Sequence, residues 1–225
     1  VGAPARRAPT RRADAPLTRR HAFGGLKFEN PFDDRPGATV GRLQIALANE
    51  DMAATRMVAT CADAFEKDRS RSALPKFLAD VATELQRQAD AWLYASASSE
   101  RFDPGAVERY AHEDAYETLV NFEAAKFEVE RTPSAADLEQ TAAGVRGVCV
   151  VTLVAAIEGD RQDIFEGAAA SEASLRTALR TLAAASGVRG GDAIYNAEVL
   201  WTPSSADEAL FKDEMLLDFP ELLAL

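Results

Sequence analysis

Nucleophilic, acid–base and metal chemistry draw on cysteine, histidine or clustered carboxylates. This chain offers two cysteines, Cys61 and Cys149, and two histidines, His21 and His112. Glu108 stands four residues before His112, a spacing that puts both side chains on one helical face. Such a pair could hold a metal or move a proton, but on so acidic a helix the expectation is a solvated pair. The cysteines are far apart in sequence and form neither a metal-ligand pair nor a disulfide framework. No zincin helix, phosphate-binding loop or nucleophile elbow occurs. Gly187–Gly191 lacks the preceding strand and following helix of a dinucleotide fingerprint, so it reads as a turn. No acidic loop closes with a glutamate at calcium-loop spacing. No catalytic, cofactor-binding or metal-ligating residue is assigned, and the residues alone favour an interaction protein over an enzyme.

The elements that would carry these residues follow from periodicity. Leu43, Leu47, Ala54, Val58, Cys61 and Phe65 recur at helical spacing and predict an amphipathic helix from about residue 39 to 67, with Cys61 as a buried, inert thiol. Ser72 reads as the N-cap of a second helix, with Pro75 in its first turn and Leu74, Leu78, Val81, Leu85 and Ala89 as its stripe. The short polar joint at 68–71 makes the two an antiparallel hairpin. Trp92 to Ser98 loses the helical period and predicts a strand. Asp103-Pro104 then opens a third helix to about Arg131, with Val107, Ala111, Ala115, Leu119 and Phe122 on one face. Thr132-Pro133 stops it, and Ser134 to Asp137 has capping-box spacing for a short fourth helix.

The second half is mixed. Residues 147–157 form a β-branched apolar run, the pattern of a strand covered on both faces, with Cys149 inside it. A helix is predicted from Ser171 to Ala185. A strand follows from Ala193 to Thr202, with Tyr195, Ala197, Val199 and Trp201 on one face and Pro203 as its stop. Trp92 and Trp201 are expected in the core. A short acidic helix closes the chain. The fold class is α+β: a helical N-terminal half, made of the hairpin and third helix, with a small C-terminal sheet.

Charge divides the 225 residues differently. Residues 1–27 hold seven basic side chains and one acidic, a net of +6, which leaves −17 of the total −11 to the remainder. The basic stretch is almost free of large apolar side chains and cannot offset its ordering entropy by burial. It reads as a transit-like or partner-binding arm. Residues 28–40 are an extended lead-in, and 41–225 one α+β domain, helical over 41–143 and sheet-containing over 144–225. Arg19, Arg20, Phe23, Phe28 and Phe32 are the candidate partner-binding residues. A pI near 4.8 disfavours nucleic acid as a partner of the acidic body. No run approaches the roughly 20 apolar residues of a membrane-spanning helix.

The C-terminal third carries a resemblance. The run Val150 to Gly159, the Ser-Leu-Arg-x-Ala-Leu helix at Ser174–Leu179, the element Ala197-Glu198-Val199-Leu200-Trp201-Thr202-Pro203 and the closing Asp213 to Leu222 follow one another in a specific order. Together with Leu43 to Leu47 and Ala91 to Tyr94 upstream, this order resembles an uncharacterised-domain family of cyanobacteria, algae and plant chloroplasts. That family includes the fluctuating-light acclimation proteins. The resemblance implies a non-enzymatic chloroplast protein without a cofactor, peripheral to the thylakoid membrane on its stromal side. It would associate with a photosynthetic membrane protein complex and support photoprotective acclimation, assembly or repair. Those relatives carry an apolar membrane span before the first helix, whereas here a basic arm stands at that place. Two other readings remain open: a small-ligand-binding domain or enzyme with a pocket between sheet and helices, and a structural subunit of another organellar assembly.

Overall fold

Between Ala38 and Ala48 the sequence alternates Leu43, Ile45 and Leu47 with Arg42, Gln44 and Ala46, and it forms the central strand β1. A computed structural model describes residues 37–68, 70, 72–104, 106–127, 147–204 and 208–225. The arm, most of the lead-in, the Thr132-Pro133 stop and the Ser134–Asp137 capping box lie outside the described residues.

Four strands join β1: β2 (Trp92–Phe102), β3 (Val148–Glu158), β4 (Ile194–Thr202) and the two-residue β5 (Leu223–Ala224). All neighbours are antiparallel, in the order β4-β3-β1-β2-β5. The helices are α1 (Ala53–Lys67), α2 (Ala73–Arg87), α3 (Ala106–Phe127), α4 (Glu172–Gly187) and α5 (Lys212–Asp218). The fold is α+β, with the helical hairpin and third helix in place. The sheet, however, is not confined to the C-terminal half, because the stretch expected to begin the first helix is β1. Leu43 and Leu47 are four apart, a spacing that fits both periods. Ile45 between them and paired strands on both sides decide for the strand.

β1 and β3 are buried along almost their whole length because both faces of the sheet are covered. On the first face, Leu43, Ile45, Leu47, Val151, Leu153 and Val199 meet Val58, Leu78, Val81, Leu85, Leu179 and Leu182 of α1, α2 and α4 in the principal core. The hairpin closes with Phe65 stacked on Phe77, ring centroids 4.9 Å apart. α1 is entered through Asn49, whose Oδ1 accepts the amides of Ala54 and Thr55 at 3.1 and 3.3 Å. α4 is capped by Ser171, whose Oγ accepts the Ser174 amide at 3.2 Å. Gly187–Gly191 is the turn that ends α4, with φ of +71° at Gly190 and +99° at Gly191.

The register aligns four small residues across the first face: Ser99, Gly41, Ala155 and Ala197. They form a trough, and Phe165, fully buried, lays its ring over Gly41. A Cβ on Gly41 would stand only 2.4 Å from that ring's carbons.

The second face divides into two apolar clusters. Ala46, Val148 and Val150 pack with Leu210, Met215, Phe219 and Leu222 of the C-terminal segment. Val40, Phe102, Val154 and Ala156 pack with Tyr116 of α3. α3 applies Ala111, Ala115, Leu119 and Val120 to that second cluster, whereas Phe122, expected on the same face, is 61% exposed. One further expectation is corrected at β4. Its pairing slips between Ala156 and Ile157, so that Asn196 and Ile194 lie opposite successive β3 residues. The extra residue, Tyr195, therefore leaves the face shared by Ala197, Val199 and Trp201 and packs in the second-face cluster instead.

Candidate functional site: a buried charge network

Arg42 and Gln44 stand two apart on β1 and so point to the same, second face, between its two apolar clusters. An arginine and a glutamine buried in a central strand need partners, because an unpaired polar group in a dry interior costs more than any contact returns. α3 supplies them. Glu123 is completely buried; its Oε1 accepts from Arg42 at 2.6 Å, and its Oε2 accepts from Gln44 at 3.3 Å. Lys126, one turn on, donates to both oxygens at 3.2 and 3.1 Å. Glu221, from the turn before β5, accepts from Arg42 at 3.2 Å and from Lys126 at 2.5 Å. Ser96 of β2 accepts the other Arg42 terminus at 2.9 Å, and Thr152 of β3 accepts Gln44 at 2.8 Å.

Two cations and two carboxylates thus form a neutral cluster that joins the sheet, α3 and the C-terminal segment. Lys126 also stands 4.7 Å from the Phe122 ring centroid and 5.9 Å from that of Phe219. Arg42 Nε, Gln44 Oε1 and the Tyr116 hydroxyl are buried and take no hydrogen bond within the described residues. Burial drives the Tyr116 hydroxyl far above its ordinary pKa, helped by the charges of Glu198 and Glu117.

Glu221 is the most exposed member of the cluster. Burial pushes its carboxyl up, but the hydrogen bond from Lys126, its own backbone amide and the charges of Lys126 and Arg42 outweigh this and hold it below its ordinary 4.5. The unfolded chain takes up a proton at about that ordinary value, while the native state stays ionised to lower pH. The stability contributed by Glu221 is therefore full above pH 4.5 and is lost as the pH falls through the lowered native value. Urea unfolding between about pH 6 and 3 is expected to show this loss, and Glu221→Gln to flatten it. An unchanged profile in the variant would remove Glu221 as the source.

The residues singled out in the sequence fare differently. Arg19, Arg20, Phe23, Phe28 and Phe32 lie outside the described residues, as does His21. His112 is not on a solvated face: it is buried, stacked on Tyr195 at 5.6 Å and edge-on to Phe102 at 6.3 Å. The Glu108 side chain lies outside the described residues. Among the described residues no group of three or more His, Cys, Asp or Glu side chains is arranged to hold a metal ion. Cys61 is half-buried on α1, and its thiol is pushed up to about 11 by burial and by the charges of Asp80 and Glu84. Cys149 is buried in β3, and burial drives its thiol to about 12. Both thiols are therefore unreactive near neutral pH. Trp92 is in the core and donates its Nε1 to the Leu85 carbonyl at 3.1 Å; Trp201 is half-buried at the edge of that core.

The network itself is not legible in the helical periodicity. A helix over 39–48 sends Arg42 and Gln44 towards water, and only the strand turns them inward. The signal available was the polar alternation within the apolar run Val40–Leu47. The closing Phe-Pro-Glu-Leu motif proves to be the anchor of the C-terminal segment: Phe219 and Leu222 fill the apolar cluster, and Glu221 joins the charges.

A family model described as a protein of unknown function, DUF1517, matches residues 37–225. No curated protein and no solved structure matches the chain.

Proposed function

The chain belongs to the DUF1517 family, and from that premise we propose a non-enzymatic chloroplast protein that docks on a photosynthetic membrane complex, on the stromal side of the thylakoid, and supports its photoprotective acclimation, assembly or repair. The observation that carries this reading is the division of the chain at residue 37. The family match begins at Gly37 and the first described strand at Ala38, while the +6 of residues 1–27 falls outside the family match and the −17 falls mostly within it. A basic arm with Phe23, Phe28 and Phe32 has the composition of a segment that orders on a partner, and Arg19 and Arg20 would supply charge to an acidic or anionic surface. The charge network supports the same reading. The polar side chains a catalytic centre would turn towards a substrate are bound to one another, with Glu123 between two cations. Attachment is proposed as peripheral: among the described residues no helix is long and apolar enough to cross a membrane.

Removing residues 1–36 while keeping Gly37 is expected to abolish co-fractionation with thylakoid complexes. Arg19→Glu with Arg20→Glu should weaken it in a salt-dependent way. Phe28→Ala with Phe32→Ala should weaken it at all salt concentrations. Undiminished co-fractionation of the shortened chain would refute the arm's role.

A second reading has one observation in its favour. Arg42 Nε and Gln44 Oε1 of β1 and the Tyr116 hydroxyl of α3 are buried without a hydrogen-bond partner among the described residues. A small polar ligand seated there would make this a ligand-binding domain. Thermal shift against a panel of small polar metabolites tests it, with Gln44→Leu as the variant expected to abolish any shift.

A further inference from the structure

The two ends of the molecule along β1 carry different charge. Where β1 finishes, the turn that follows holds Glu50 and Asp51, both exposed. α5 stands at that same end, anchored where the Val148 amide donates to the Leu210 carbonyl at 2.8 Å, and it holds three acidic side chains against one basic. Where β1 begins, the corner between α1 and α2 meets the turn that ends α4: a Cβ on Gly191 would stand 2.5 Å from the Pro75 ring. That turn leads to Ala193, whose carbonyl accepts the Glu158 amide at 2.8 Å, and the next amide, that of Gly159, donates to the Gly37 carbonyl at 2.5 Å. One end therefore collects the α1–α2 corner, the turn after α4 and the point where the arm joins the body. Residues 67–76 and 187–192 together hold five basic and two acidic side chains, a net of +3 within a body of −17. Lys67 and Lys76 are exposed there, and Val188, next to Arg189 in sequence, is 45% exposed. Beside them, Arg101 and Arg161 are engaged with Asp103, Asp160 and Asp163, so the surplus positive charge belongs to the corner and the turn.

We propose that this end is the body's own contact with the headgroup layer of an anionic membrane, beside the arm. The proposal rests on the peripheral docking inferred above and adds to it the lipid itself as a partner and a second contact besides residues 1–36. A protein with a net charge of −11 is repelled by an anionic surface unless it turns a positive end towards it. The charge polarity along β1 selects that end, and the +6 of residues 1–27 joins the body at the same place. Basic side chains gain from the negative surface potential of such a membrane, and an exposed aliphatic side chain among them enters the boundary between headgroups and acyl chains. Val188 thus finds an apolar layer in a bilayer, which an acidic protein face does not offer, and the occupant is lipid.

Flotation of the full chain with vesicles of phosphatidylcholine, alone or with about 30% phosphatidylglycerol, tests the proposal. The expected result is binding to the anionic vesicles only, weakened by salt. Lys67→Gln with Lys76→Gln, exposed positions whose replacement leaves the melting midpoint in place, should weaken that binding by about tenfold or more, with the arm intact. Undiminished binding of this variant overturns the body's contact and leaves vesicle binding to the arm. A full chain that floats with neither kind of vesicle overturns lipid as the occupant, and one that floats equally with both overturns charge as the cause. Co-fractionation with thylakoid complexes is measured separately, so the docking reading can stand where the lipid contact fails.

Discussion

Glu123→Ala is expected to lower stability by about 3–5 kcal/mol, the cost of removing one partner from a buried ion cluster. The carboxylate has no water to replace it: it is wholly buried and sits between Arg42 and Lys126. Without it, the partly exposed Glu221 is the counter-charge that the two cations share among the described residues. In a domain of this size the melting midpoint should fall by roughly 10 °C. Glu123→Gln should cost less than alanine, because the amide oxygen still accepts from Arg42 while its NH2 faces another donor. Arg42→Met combined with Glu123→Leu should cost less than Glu123→Ala alone, because it removes the buried charge pair as a pair. Urea unfolding of the three variants decides the matter. A Glu123→Ala loss under about 1 kcal/mol would mean that water reaches the network and that the cluster is not the clamp the distances describe.

The second large effect concerns the trough on the other face of the same strand. Phe165→Ala is expected to cost about 3–5 kcal/mol, since the ring is fully buried and lies directly over Gly41. Gly41→Ala should cost about 1–3 kcal/mol, because its new Cβ would lie 2.4 Å from the ring and a ring held in the principal core has little room to move. The informative quantity is the coupling. In a Phe165→Ala background the obstruction is gone, so Gly41→Ala should become neutral or stabilise by about 0.5–1 kcal/mol, the usual preference for alanine over glycine in a strand. The double-mutant cycle should therefore show a coupling of about 2 kcal/mol. If Gly41→Ala costs the same in both backgrounds, the ring contact is not what demands glycine.

Both predictions rest on β1, the element the sequence described least well. Helix α2, helix α4 and strand β3 were legible because each repeats one period long enough to exclude the other: the Leu74–Ala89 stripe, the Leu175–Leu182 stripe and the unbroken apolar run at 147–157. β1 holds three large aliphatic residues at 43, 45 and 47, and taking two of them with Ala54 and Val58 gives a helical stripe. On that helix the site disappears, because Arg42 and Gln44 on a surface helix need no partners. His112 failed for a related reason. The acidic composition of its helix points to solvent, but the sheet's second face requires a cover and α3 lies across it.

The sequence by itself determined the α+β class, the helical hairpin and third helix, the doubly covered strand and the division between a basic arm and an acidic body. These depend on composition and on contacts between near neighbours, which a local pattern records. Tertiary structure alone decided that β1 is a strand, that Arg42, Gln44, Glu123, Lys126 and Glu221 meet, and that Gly41 lies beneath Phe165. Each of those outcomes joins residues many tens of positions apart. What selects them is the cost of leaving a buried charge unpaired or a trough unfilled, and that cost arises only once both faces of the sheet are closed.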